Sequence, residues 1–435
     1  DRGPSIFVEP NPDSVTENDC KRYGLKLFAG SAEQFFDYLA DKVPTRPTPL
    51  ELIPRATRRL LPAGVSKRTA LSFAADFELV PGKLGKTAEI SRFPYGHLAT
   101  WQDLENDKDI ARPITPNLMT AVEEGLRNAD ITQKIILLLD DTGGGKTTVV
   151  RRCAYELAKR GLSTLICSAL SRIEPLSTAD AIDSIDGPLV IIVDNFADQV
   201  SPISEIVQRL EKKDVVFLCT ERRYRQRYIS QSLSRGAFLA ITAEQLRAID
   251  AERLIDLYLN EGLIGAAQAI SDRSNFSKSA ASDPIAIACC RILNDFKPLD
   301  RIIDSLALAT SREDTHTYLI CALAQHCYRG GIRGEILGSI ANTAGWQRQF
   351  KVHPMPITYF DNGLNFIVPE NATLANRVLD RTAKREPEFL LTVFIELANA
   401  IAPRVNPYAV KLRVPEARLA SRLFDFDQTT GELLG

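Results

Sequence analysis

The stretch Lys134–Val150, reading KIILLLDDTGGGKTTVV, constrains this chain more than any other. An apolar, β-rich run, Ile135–Leu139, leads into a glycine turn, then Lys146-Thr147 and a helical pattern. Strand, glycine-rich turn and helix in that order form the setting of a phosphate-binding P-loop. Gly143, Gly144 and Gly145 let backbone N–H groups curl inward without Cβ clashes. A helix opening at Lys146 aims its positive end at the same phosphates. Lys146 adds a mobile charge for the β- and γ-phosphates, Thr147 offers a hydroxyl to Mg²⁺, and Thr148 joins the predicted nucleotide contacts. One position departs from the G-x-x-x-x-G-K-[ST] pattern: Asp140 stands where its first glycine belongs.

A second acidic site supports the first. In PLVIIVDNFAD the apolar run Leu189–Val193 reads as a parallel strand buried on both faces. It ends in Asp194, where a Walker B carboxylate would hold Mg²⁺. The next residue is Asn195, which orients water but cannot take its proton. Hydrolysis is therefore expected to be slow unless another group, such as Asp198, serves as base.

The 435 residues suggest roughly two to four domains. A net charge of −2 gives no global basic field for nucleic acid or membrane. No apolar run approaches a membrane span, and no signal peptide is visible. The eight scattered cysteines read as buried free thiols in a reducing cytoplasm. The opening DRGPSIFV, without methionine, reads as part of a longer protein.

Residues 1–44 read strand, turn, helix, strand, with Ser31 and Gln34 forming a capping box for a further helix. Residues 45–115, rich in Pro, Arg and Gly, read as a partly extended connector, in which Arg55, Arg58 and Arg59 read as a solvated helix face, with phosphate contact as the alternative. Residues 116–240 alternate strands and helices, which predicts an α/β doubly wound parallel sheet. The strand Asp214–Cys219 is followed by Arg222, placed to reach a γ-phosphate as a sensor. From 241 the chain turns helical, with Thr242 and Gln245 as a capping box and Pro284 opening another helix. Ile357–Phe360, Asp361-Asn362-Gly363 and Leu364–Val368 predict a hairpin with an Asn-Gly turn. Helices and hairpin over 313–382 read as a winged helix after a helical domain at 241–312, and 383–435 as the helical start of a further region.

In this order the elements resemble the signal-transduction ATPases with numerous domains, the NACHT and NB-ARC relatives, over roughly residues 115–400. The segments FVEPNP, CKRYGLKLF and SAEQFFDYL resemble the end of a sirtuin-like NAD-hydrolase domain, none of whose catalytic positions lies within them. The resemblance is narrower still to bacterial antiviral members that carry such an effector. It implies an ATP/ADP switch with Mg²⁺, homo-oligomerisation on activation, and a foreign (phage) protein trigger sensed by a C-terminal region. It also implies that Pro284 packs against adenine. The family's winged-helix histidine has no match; FIVPENATL brings Glu370 or Asn371 nearby. Two other readings stay open. One is a DNA-directed P-loop motor or loader using a winged helix and the Arg222–Arg227 cluster. The other is a scaffold with a dead P-loop, motivated by Asp140.

Overall fold

A computed structural model of the chain describes residues 6–22, 25–32, 34–35, 60–61, 65–85, 91–127, 134–167, 173–233, 238–281, 283–309, 311–340, 357–360, 366–369, 372–411 and 414–425. The chain divides into two compact units, Asp1–Ala74 and Ala75–Gly435.

In the first unit, strand β1 (Ile6–Glu9), helix α1 (Ser14–Arg22) and strand β2 (Lys26–Ala29) form a parallel βαβ piece with Ile6 opposite Lys26. The expected capping box is present: Ser31 N donates to Gln34 Oε1 at 2.8 Å and Gln34 N to Ser31 Oγ at 3.2 Å. Arg55, Arg58 and Arg59 lie outside the described residues.

The second unit is built on six strands: β3 (Phe77–Leu79), β4 (Ile135–Asp140), β5 (Ser163–Cys167), β6 (Leu189–Val193), β7 (Val215–Arg222) and β8 (Leu239–Thr242). Their spatial order is β3-β5-β6-β7-β4-β8, parallel except for β3, which pairs antiparallel with β5. The fold is thus α/β with a mainly parallel P-loop sheet. β4 and β6 are buried at every residue, which is why they read as continuous apolar runs. Helices α2 (Ile114–Arg127) and α3 (Lys146–Lys159) cover one face, where Leu118, Val122, Val150 and Leu157 meet Ile136, Leu138 and Ile192. Helices α4 (Pro175–Ser184) and α5 (Val200–Arg209) complete the alternation with the strands.

Three expectations need correction. The supposed connector supplies strand β3 at the sheet edge and a capped helix, Trp101–Glu105, behind Thr100. Thr242 does not cap a helix, because Leu239–Thr242 is a strand paired with β4; the next helix, α6 (Ala248–Asn260), starts after Arg247. β7 runs three residues past Cys219, so Arg222 ends the strand rather than following it.

Helices α6, α7 (Ala266–Ala280) and α8 (Ile285–Leu293) share a small core around Leu254, Ile255, Tyr258, Phe276, Ala288 and Ile292. Helix α9 (Leu299–Ala309) leads to α10 (Arg312–Cys327), whose run Tyr318–Ala324 is buried on all sides. Around α10 pack strands β9 (Ile332–Arg333), β10 (Ile357–Phe360) and β11 (Phe366–Pro369), in the order β10-β11-β9 and all antiparallel. Helices α11 (Ala372–Arg385), α12 (Pro387–Ile401) and α13 (Pro415–Leu423) share that core. The predicted hairpin forms, with Phe360 opposite Phe366; its Asp361-Asn362-Gly363 turn lies outside the described residues, as do Glu370 and Asn371. Gly331 turns the chain between α10 and β9 at φ 73°, and a Cβ there would lie 2.2 Å from the Ile367 carbonyl oxygen. Gly331→Ala is therefore expected to cost about 2 kcal/mol. A lowered urea midpoint checks this; an unshifted one would show that the turn relaxes freely.

Among the described residues no helix is long and apolar enough to cross a membrane.

Candidate functional site

β4 ends at Asp140, and the loop after it turns through Gly143 at φ 79° and Gly145 at φ 88° before α3 starts at Lys146. Only glycine adopts that left-handed backbone without strain. Gly144 is small for a different reason. Its Cβ would meet Asp140 Oδ2 at 2.1 Å, so the carboxylate that replaces the first P-loop glycine fills the space beneath the loop. Asp140 Oδ1 accepts from Asp141 N at 2.8 Å and lies 3.6 Å from Arg223 Nη2. Burial pushes this carboxyl above its ordinary range, with Lys146 opposing the rise. Lys146 Nζ donates to the carbonyls of Asp140 (3.1 Å) and Asp141 (2.6 Å). Burial lowers its affinity for the proton, and Asp140 opposes that fall. Arg112 braces the loop from the other side, donating to the carbonyls of Gly144 (3.3 Å) and Glu244 (2.6 Å).

β6 brings Asp194 to the mouth of this loop. Thr147 Oγ1 donates to Asp194 Oδ2 at 2.9 Å, so two residues 47 positions apart face one another. Thr220 on β7, the strand between β4 and β6, donates to Asp194 Oδ1, and Arg329 pairs with Oδ2. Burial alone would raise the Asp194 carboxyl, but Arg329, Thr220 and Thr147 hold it at about 2, ionised throughout the physiological range. A hydroxyl and a carboxylate in contact are hard oxygen donors of the kind Mg²⁺ takes. The residues present therefore fit that ion.

Around this centre the other candidates divide. Arg222 donates to the Tyr224 hydroxyl at 2.9 Å, and Arg223 reaches the Ala243 carbonyl at 3.2 Å. Asn195 adopts the left-handed conformation, φ 54°. Asp198 is not available as a base, because Arg225 (2.8 Å) and Arg422 both bind its Oδ1. Arg225 is itself buried against Glu221. The Arg222–Arg227 cluster is thus no continuous basic face, since Arg222, Arg223 and Arg225 serve internal contacts.

A cavity of about 430 Å³ opens from the P-loop between α6 and α8. Gly143, Gly145, Lys146, Thr147 and Thr148 line one end; Tyr95, His97, Leu254, Tyr258 and Cys289 line the other. α8 docks on the loop, with Ala286 N donating to the Gly143 carbonyl at 3.0 Å. Pro284 does not line this cavity. It caps α8 and faces a neighbouring cleft, while Ile285, Ala286 and Cys289 turn inward. Thr373, in the first turn of α11, closes over Gly143: a Cβ there would meet Thr373 Oγ1 at 2.4 Å.

Residues 91–234 match the family Novel STAND NTPase 5. The match takes in the P-loop, Asp194 and Arg222 and ends before α6. No curated protein is significantly similar to the chain. Among solved structures, AMPPCP-bound DnaA from Aquifex aeolicus is similar at 13% identity and a TM-score of 0.33, over 74% of this chain and 98% of that one. Aeropyrum pernix Orc1 in complex with DNA is similar at 11% identity and a TM-score of 0.33, over 65% and 96%. An S. cerevisiae Hsp104–casein complex is similar at 12% identity and a TM-score of 0.34, over 52% and 48%, so the chain spans less than half of Hsp104. Likenesses this distant carry no argument about function. Within the STAND-like segment sequence reasoning found Thr147 and Asp194 and missed Thr220. Arg112 has no flanking motif, and Arg329 and Thr373 lie beyond the matched residues.

Proposed function

We propose that this chain is an ATP/ADP-binding regulatory switch of the STAND type with slow hydrolysis. The observation that carries this reading is the 2.9 Å contact between Thr147 and Asp194 at the mouth of a glycine loop, beside a cavity of about 430 Å³. That volume lies within the range of small-molecule sites. The apolar end, with Tyr258 and Leu254, suits a base, and the loop end suits phosphates. Lys146 would leave its carbonyl partners for the β- and γ-phosphates. Thr147 and Asp194 would hold Mg²⁺, which when bound would supply charge neutralisation of those phosphates. Arg222 would act as sensor from the end of β7. Slow turnover follows from Asn195 and from the commitment of Asp198 to Arg225 and Arg422. The contacts of Ala286 on α8 and Thr373 on α11 with Gly143 support a switch, because changes at bound phosphates would be felt directly by both helices. Oligomerisation on activation, a phage-protein trigger and a role in antiviral defence rest on the family resemblance.

Mass spectrometry of nucleotide extracted from purified protein tests the reading; recovered ADP or ATP supports it. Asp194→Asn is expected to weaken Mg-ATP by about tenfold and Mg-free ADP much less. Isothermal calorimetry with and without EDTA separates the two, and equal loss in both would point to a folding role.

A further inference from the structure

The oxygen of Asp194 that faces Thr147 already holds a cation, and that cation comes from outside the P-loop sheet. Arg329 Nη1 pairs with Oδ2, the same atom that accepts Thr147 Oγ1 at 2.9 Å. The arginine is presented from a stiff turn. Tyr328 is buried with its ring 6.4 Å from that of Phe366, and Gly331 N closes the turn on the Tyr328 carbonyl at 2.7 Å. Gly331 itself lies against the β11 backbone at Ile367. The turn joins α10 to β9, so Arg329 is fixed to the same core that carries α11 and Thr373.

We propose that Arg329 is a cation surrogate that holds the C-terminal body onto Asp194 and must leave before a divalent cation binds between Thr147 and Asp194. The inference rests on the proposed role of Asp194 toward Mg²⁺. A bound Mg²⁺ lies about 2.1 Å from its ligand oxygens. A guanidinium on the same oxygen would compete for the same lone pairs and repel the metal at close range. Metal binding and this contact therefore exclude one another, whereas nucleotide without metal leaves the contact intact. Arg422 on Asp198 and Thr373 against Gly143 are further ties, so loss of Arg329 frees one anchor rather than the whole body.

The Arg329 side chain is 37% exposed, so substitutions there leave the core untouched. Mn²⁺ titrations followed by electron paramagnetic resonance, with ADP present, should show about tenfold tighter Mn²⁺ binding in Arg329→Gln than in the wild type. Arg329→Lys, which keeps the charge, should bind Mn²⁺ more tightly than the wild type but less tightly than Arg329→Gln. Unchanged or weaker Mn²⁺ binding in Arg329→Gln, while Asp194→Asn binds Mn²⁺ about tenfold more weakly than the wild type, overturns the surrogate role alone. Mn²⁺ binding in Asp194→Asn as tight as in the wild type overturns the metal reading and this inference together. A second readout uses the wild type: amide hydrogen exchange at Tyr328–Arg333 should rise with ADP and Mg²⁺ relative to ADP and EDTA. No metal-dependent change there also overturns the proposal.

Discussion

Glu221→Ala is expected to cost about 3–5 kcal/mol of stability, the largest effect of any single substitution considered. Glu221 is fully buried at the end of β7. Its carboxylate accepts Arg225 Nη1 at 3.2 and 3.1 Å, and also the backbone N–H groups of Arg222 (2.9 Å) and Ala197 (2.8 Å). Arg225 is completed by Asp198, which also binds Arg422 from α13. Two carboxylates thus balance two guanidiniums away from water. Deleting one carboxylate leaves a buried positive excess and two orphaned N–H donors. Glu221→Gln keeps an acceptor for the N–H groups and loses the charge, so its cost should be smaller. Urea denaturation of the three proteins checks the order. A loss below about 1 kcal/mol in the alanine variant would mean that water reaches Arg225.

Lys146→Ala is expected to weaken ATP by about 3 kcal/mol, on the order of a hundredfold. The ammonium sits at the start of α3 on the loop carbonyls, within reach of phosphates that the proposed site would hold. Its burial lowers its proton affinity, with Asp140 opposing. Phosphate oxygens would supply the stronger counter-charge. The variant should fold normally, since it loses only two hydrogen bonds to loop carbonyls. Calorimetry with ATP measures the loss. Affinity equal to wild type would show that the glycine loop binds no phosphate and would favour a scaffold with a dead P-loop.

Asp140 shows how local sequence and tertiary structure divide the work. Its departure from the P-loop pattern was visible in the sequence, but its consequence was not. Only the folded loop shows the carboxylate beneath Gly144, held by Asp141 N and faced by Arg223. Pro284 shows the reverse. Its place at the start of α8 was legible, yet whether it or the next turn meets the cavity depends on how α8 lies against Gly143. The supposed connector was misread because β3 is three residues long and is a strand only by virtue of its pairing with β5.

By itself the sequence determined the P-loop, the alternation of strands and helices, Asp194 and the hairpin of the C-terminal body. Each is written in local order: apolar runs long enough to be buried strands, glycines where the backbone must turn left-handed, and a carboxylate at a strand end. Tertiary structure alone decided what touches Asp194. Arg329 is 135 positions away, and nothing around it in the chain marks it as different from other arginines. The position of its turn against β11, and of that whole body against the P-loop sheet, selects it. A contact between distant segments depends on the packing of everything between them, and that is information no short stretch of sequence holds.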